Sequence, residues 1–108
     1  MTTQVHIDAG ICGFHTAAGV SSEDAQNVTF SVTSECEKIR RLAAQLAEAG
    51  PLDAYSEISP DGPGRLLGTA RATLKGCCAG CAVPVGLYKG MQVAAGLALP
   101  KDISIRLG

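Results

Sequence analysis

The sequence predicts an α+β fold: a small, mostly antiparallel sheet of three to four strands with helices mainly on one face. Three observations predict it. Two early segments alternate apolar and polar residues with the period of a strand. Three later segments repeat apolar residues with the period of a helix. A last alternating stretch closes the chain, so the order reads β-β-α-α-α-β, with helices segregated from the sheet-forming ends. At 108 residues, one cysteine-rich domain over 1–108 is expected.

The elements follow in order. Val5 and Ile7 alternate with His6 and Asp8 as a first strand. Residues 9–27 are rich in Gly, Ser and Thr and read as a long loop carrying Cys12 and His15. Val28, Phe30 and Val32 alternate with polar residues as the clearest strand, expected to pair antiparallel with the first. Ser34 reads as a helix cap, with Glu37 at the capping-box position. Ile39, Leu42, Ala43 and Leu46 form the stripe of that helix, which places Cys36 in its first turn; Gly50-Pro51 ends it. Residues 52–58 suggest a short helix, 59–64 a turn cluster. A helix follows over 65–74, with Leu66, Leu67, Ala70 and Leu74 buried.

Pro84 suits the first turn of a last helix, reaching to about Leu97. Gly86, Gly90 and Ala94 stand four apart on it, a smooth ridge that admits another element closely. Pro100 stops the helix, and Ile103, Ile105 and Leu107 alternate as a final strand at an edge or the centre of the sheet.

Composition narrows the function. Apolar residues make up 46% and charged residues 18%, a globular balance. Net charge is −1, which gives no basic field for nucleic acid. The N-terminus lacks the basic and apolar regions of a secretory signal. The apolar run 77–100 is broken by Lys89, Gln92 and glycines, so no membrane span is expected. A reducing, cytoplasmic location is therefore the expectation. There, clustered cysteines bind metal or do redox chemistry more often than they form structural disulfides.

Four cysteines carry the chemistry. Cys12 follows the first strand, Cys36 opens a helix, and Cys78-Ala79-Gly80-Cys81 is a C-x2-C pair before the last helix. Two thiolates at that spacing grip one ion, and two more complete a tetrahedron. Strand ends and helix starts cluster at one end of such a sheet. A helix N-terminus also favours the thiolate, at Cys36 and again at Cys81. Cys77 would need a three-residue spacer, and His15 stands three after Cys12; both are alternative ligands. Zinc sites often use two chelating knuckles, whereas here there is one. The apolar, glycine-rich surroundings (Ile11, Phe14, Ala79, Ala82, Val83) favour an iron–sulfur cluster, with zinc the next choice. Lys75 and Lys89 flank the region and could balance thiolate charge, although each reads more simply as a surface residue.

The segments Ala9-Gly10-Ile11-Cys12-Gly13-Phe14, Ser34-Glu35-Cys36, Cys81-Ala82-Val83-Pro84 and Gly96-Leu97-Ala98-Leu99-Pro100-Lys101-Asp102 resemble a small prokaryotic family of unknown function. In that family a histidine often stands where this chain has Cys78. The resemblance implies three cysteines plus one variable ligand: Cys12, Cys36, Cys81 and Cys78. It implies no activity.

The expected function is a small metal-binding protein used for electron transfer, sensing or structural support of a protein partner. Two other readings stand beside it: a thiol–disulfide oxidoreductase using Cys78 and Cys81, and a protein-interaction module whose cysteines only pack. No enzyme signature of another kind is present.

Overall fold

A computed structural model describes residues 1–108, with the side chain of Cys77 outside the described residues. Four strands form an antiparallel sheet in the order β1-β2-β3-β4. They are β1 Thr2–Asp8, β2 His15–Ser21, β3 Asn27–Ser34 and the two-residue β4 Leu52–Asp53. Four helices accompany them: α1 Glu37–Ala49, α2 Ala54–Ile58, α3 Arg65–Thr73 and α4 Val83–Ala94, with a 3-10 turn Gly76–Gly80 before α4. The fold is α+β, as the alternation and helical periods require.

One face of the sheet is covered. α1 packs on β3, α4 on β1 and β2, and α3 on both helices. Ile7, Ala18, Val20 and Val28 meet Ile39, Leu42, Leu87 and Met91 in this core. Thr2, Gln4, His6 and Asp8 of β1, with Thr29, Ser31 and Thr33 of β3, are exposed on the other face. Between them β2 presents Ala17 and Gly19 at its centre and His15 and Ser21 at its ends, so the open face is polar with a shallow centre.

Two sequence expectations fail here. The loop expected over 9–27 contains β2, the central strand. Its inward residues are Thr16, Ala18 and Val20, and its outward residues are small, so the apolar alternation is weak. On the inward side α4 comes down on this strand, where a Cβ at Gly90 would lie 3.0 Å from Val20 Cγ2; on the open side the Gln4 side chain lies over Gly19, 3.3 Å from where a Cβ would be. With β2 between them, β1 and β3 do not pair. The antiparallel pairing expected of those two strands is thus corrected.

The second failure is at the C-terminus. Residues 103–107 are not a strand of the sheet, and Ile103, Ile105 and Leu107 are exposed. The last helix also ends earlier than Leu97. Gly96, at φ 76, sits one residue past the C-cap Ala95. Gly96 N–H donates to Val93 O (3.0 Å) and Leu97 N–H to Gln92 O (2.7 Å). This pair of bonds is a Schellman stop, which satisfies the last carbonyls and turns the chain away.

Helix starts are set by side chains. Ser34 is still paired in β3 with Thr16, so α1 begins later than the capping-box reading implies. Its N-cap residue is Cys36, which makes no side-chain capping bond. Ser34 acts from outside, with Oγ accepting from Cys36 N–H at 3.1 Å. Asp53 caps α2, accepting from the N–H groups of Tyr55 and Ser56. The buried Glu57 does the same for α3 at a distance: its carboxylate accepts from Arg65 N–H (3.0 Å) and Leu66 N–H (2.6 Å). A charged acceptor on orphan N–H groups also suits the positive end of the helix.

Candidate functional site

Ile7, Thr16 and Ser34 are aligned across β1, β2 and β3 and mark one end of the sheet. Past this row lie the segments that carry the cysteines. β1 ends at Asp8 and enters the turn holding Cys12. β3 ends at Ser34, two residues before Cys36. α4 begins above the same row, since a Cβ at Gly86 would lie 2.6 Å from Ile7 Cδ1. Cys81 stands two residues before the first residue of α4.

Cys78 lies in the 3-10 turn, which is fastened to the start of α1. Lys38 Nζ donates to Lys75 O at 3.4 Å and faces Cys78 Sγ at 3.6 Å. Cys36, Cys78 and Cys81 are half-buried against the core, whereas Cys12 is exposed. All four are free thiols.

Burial pushes the Cys81 thiol above its ordinary range. Val83 N–H, at the start of α4, opposes this by bonding to the sulfur. A thiolate on Cys12, Cys36 or Cys78 would push Cys81 up further. The four sulfurs thus share one electrostatic neighbourhood. They do not share bonding distance: among the described residues, no three Cys, His, Asp or Glu side chains gather closely enough to hold one metal ion. The two findings agree, because charge acts over a longer reach than a coordinate bond.

The alternative ligands fall elsewhere. Both ring nitrogens of His15 are engaged on the open sheet face. Nδ1 lies 2.9 Å from Asp8 Oδ1 and Nε2 lies 3.3 Å from His6 Nδ1. The side chain of Cys77 lies outside the described residues. Lys38 was not singled out in the sequence, and Lys75 and Lys89 drew attention by proximity along the chain instead. The available signal was indirect: Lys38 stands two after Cys36 in the first turn of a helix that faces the C-x2-C segment.

The chain belongs to a family of unknown function (DUF6951), whose profile matches residues 3–107. No curated protein and no solved structure matches it. No helix in the structure, among the described residues, is long and apolar enough to cross a membrane.

Proposed function

We propose that Cys12, Cys36, Cys78 and Cys81 form a four-thiolate centre for an iron–sulfur cluster or a zinc ion. The observation that carries this reading is the common end of the sheet. Four cysteines from three remote segments lie beyond one row of paired residues, near enough that a thiolate on any of three would act on Cys81. The donor set fits the group: four soft thiolates suit zinc and iron–sulfur clusters alike. Cys12 and Cys78 sit on short segments bounded by glycines, Gly10 and Gly13 around one, Gly76 and Gly80 around the other. Gly10, Gly13 and Gly76 hold positive φ, so these turns suit the small closing movement that ligation requires.

The chain's own groups prepare the site. Lys38 Nζ stands 3.6 Å from Cys78 Sγ, and Val83 N–H works against the burial that pushes the Cys81 thiol up. A bound cluster would supply a one-electron couple, and bound zinc a structural cross-link. Exposure of Cys12 leaves the centre accessible to a partner protein.

Anaerobic purification with elemental analysis tests the proposal. The expected result is stoichiometric iron with sulfide and visible absorption, or stoichiometric zinc without colour. Serine at Cys36 should abolish it. Protein that stays metal-free after reconstitution with ferrous iron and sulfide, and with zinc, overturns the reading.

A second reading draws on the 3.6 Å contact between Lys38 Nζ and Cys78 Sγ. A cation beside a thiol favours the attacking thiolate. Cys78 and Cys81 would together give two electrons and two protons to a disulfide-bearing partner, ending as a disulfide while the partner ends as two thiols. A reversible Cys78–Cys81 disulfide in metal-free protein selects this reading.

A further inference from the structure

His6 and His15 are the two histidines of the chain, and both stand on the open face of the sheet. His6 is opposite Ala17 and His15 opposite Asp8, so the two rings are diagonal neighbours across β1 and β2. The rings lie 5.5 Å apart between centroids, inclined by 25°. His6 Nδ1 and His15 Nε2 approach to 3.3 Å. Asp8 Oδ1 accepts from His15 Nδ1–H at 2.9 Å. That bond fixes the His15 tautomer, leaving a lone pair on Nε2. Glu35 Oε1 accepts the backbone N–H of His15 at 3.0 Å and adds a second negative charge beside the pair.

We infer that this pair is a second cation site, separate from the cysteine centre, for a divalent ion of the imidazole-binding class, with zinc the best match. Three features converge. Two imidazole nitrogens on one tetrahedral zinc, each at about 2.0–2.1 Å, sit about 3.3–3.4 Å apart, which is the separation already present. A carboxylate on the far nitrogen of a ligating histidine is the usual outer support of such a site, and Asp8 supplies it. The neighbouring charges, Asp8 and Glu35, are both of the sign that attracts a cation.

Binding replaces the His6–His15 hydrogen bond. The proton on His6 Nδ1 moves to its own Nε2, so the ring changes tautomer without net proton loss. The lone pairs of His6 Nδ1 and His15 Nε2 then both face the ion. The face is open, with the His15 side chain 46% exposed, so water completes the shell. The inference does not depend on the cysteine centre, because its ligands and its readout are different.

Zinc titration followed by ¹⁵N correlation spectra of the two imidazoles tests it, since each ring nitrogen reports separately. The probe is zinc chloride, added beyond the capacity of the cysteines. His15 Nε2 and His6 Nδ1 should shift together in one saturable step. Substitution His6→Ala should weaken zinc at His15 at least tenfold. Asp8→Asn, which keeps shape and removes charge, should weaken it by about tenfold, the low end of outer-support effects. All three residues are exposed, so melting should be unchanged in both variants. Independent responses of the two rings, or a His15 affinity unmoved by His6→Ala, overturns the site. Failure of the cysteines to bind metal, with the imidazole step intact, leaves it standing.

Discussion

The seam between α4 and the sheet and the corner that carries the cysteines are built on opposite rules. At the seam the chain removes side chains so that surfaces meet. A Cβ at Gly90 would lie 2.7 Å from Val5 Cγ2 and 3.0 Å from Val20 Cγ2. Leu87 and Met91 fill the space on either side and are fully buried. At the corner the chain keeps thiol side chains and does not bury them fully. Cys36, Cys78 and Cys81 are half-buried, Cys12 is exposed, and the segments between are turns. Full burial is concentrated at the seam, and partial burial at the corner. The proposed four-thiolate centre would need that freedom, because rigid close packing leaves no room to gather four sulfurs.

Four measurements break or sharpen this contrast. The largest effect is expected at the seam. Leu87→Ala should cost about 2–5 kcal/mol in urea denaturation, through lost burial and an unfilled cavity. The thiol reactivity of the corner should stay unchanged below the unfolding transition.

At the corner, the effect should depend on the ligand. In metal-free protein Cys36→Ala should cost less than about 1 kcal/mol, since the side chain is only half-buried. In loaded protein the same substitution should remove bound metal together with its stabilisation, about 2.7 kcal/mol when free metal stands at a hundred times its dissociation constant. Chelation of the wild type should lower its melting temperature to that of the variant. Equal melting before and after complete metal removal would separate ligation from folding.

A smaller effect tests the close approach itself. Gly90→Ala gains about 1 kcal/mol of helix propensity and loses about 1–3 kcal/mol to overpacking, for a net loss of about 1 kcal/mol. Its contacts are β-branched valines, which cannot swing aside. Gly86→Ala should cost at least as much, because its Cβ would lie 2.6 Å from Cδ1 and 2.7 Å from Cγ1 of the buried, β-branched Ile7. Thermal melting of the two variants side by side gives the order.

The smallest effect lies outside both regions. Asp24 accepts from Asn27 Nδ2, Asn27 N–H, Gln26 N–H and Ser22 Oγ, which holds its carboxyl far below the usual range. The Gln26 amide and the α2 N-terminus lower Asp53 likewise. Carboxyls depressed in the folded state stabilise it above their unfolded value, about 4, and lose this as pH falls through the folded values. The urea midpoint should therefore drop below pH 4, and less so in the Asp24→Asn, Asp53→Asn double variant. A drop equal to wild type would refute the assignment.

What was legible in the sequence had a period or a stop. Val28, Phe30 and Val32 announced β3, and Ile39, Leu42 and Leu46 announced α1. The Gly86 and Gly90 spacing announced a close approach and met it on β1 and β2. β2 was hidden because its apolar alternation is weak: Thr16 and Ala18 are small on the core side, Ala17 and Gly19 small on the open side, and together they look like loop. The alternation at Ile103, Ile105 and Leu107 misled for the reverse reason: period two gives a face but not a partner. At the site, the sequence located Cys12 after β1, Cys36 at the start of α1 and Cys81 just before α4. Lys38 and the His6–His15 pair were not legible, because cross-element neighbours depend on register, and register here runs through the hidden strand.

The Schellman stop at Gly96 has a practical side. Among the described residues, no hydrogen bond extends past Leu97. A chain shortened after that residue keeps every rung of the α4 ladder and sheds Leu99, Ile103, Ile105 and Leu107, the greasy appendage most apt to make concentrated samples stick.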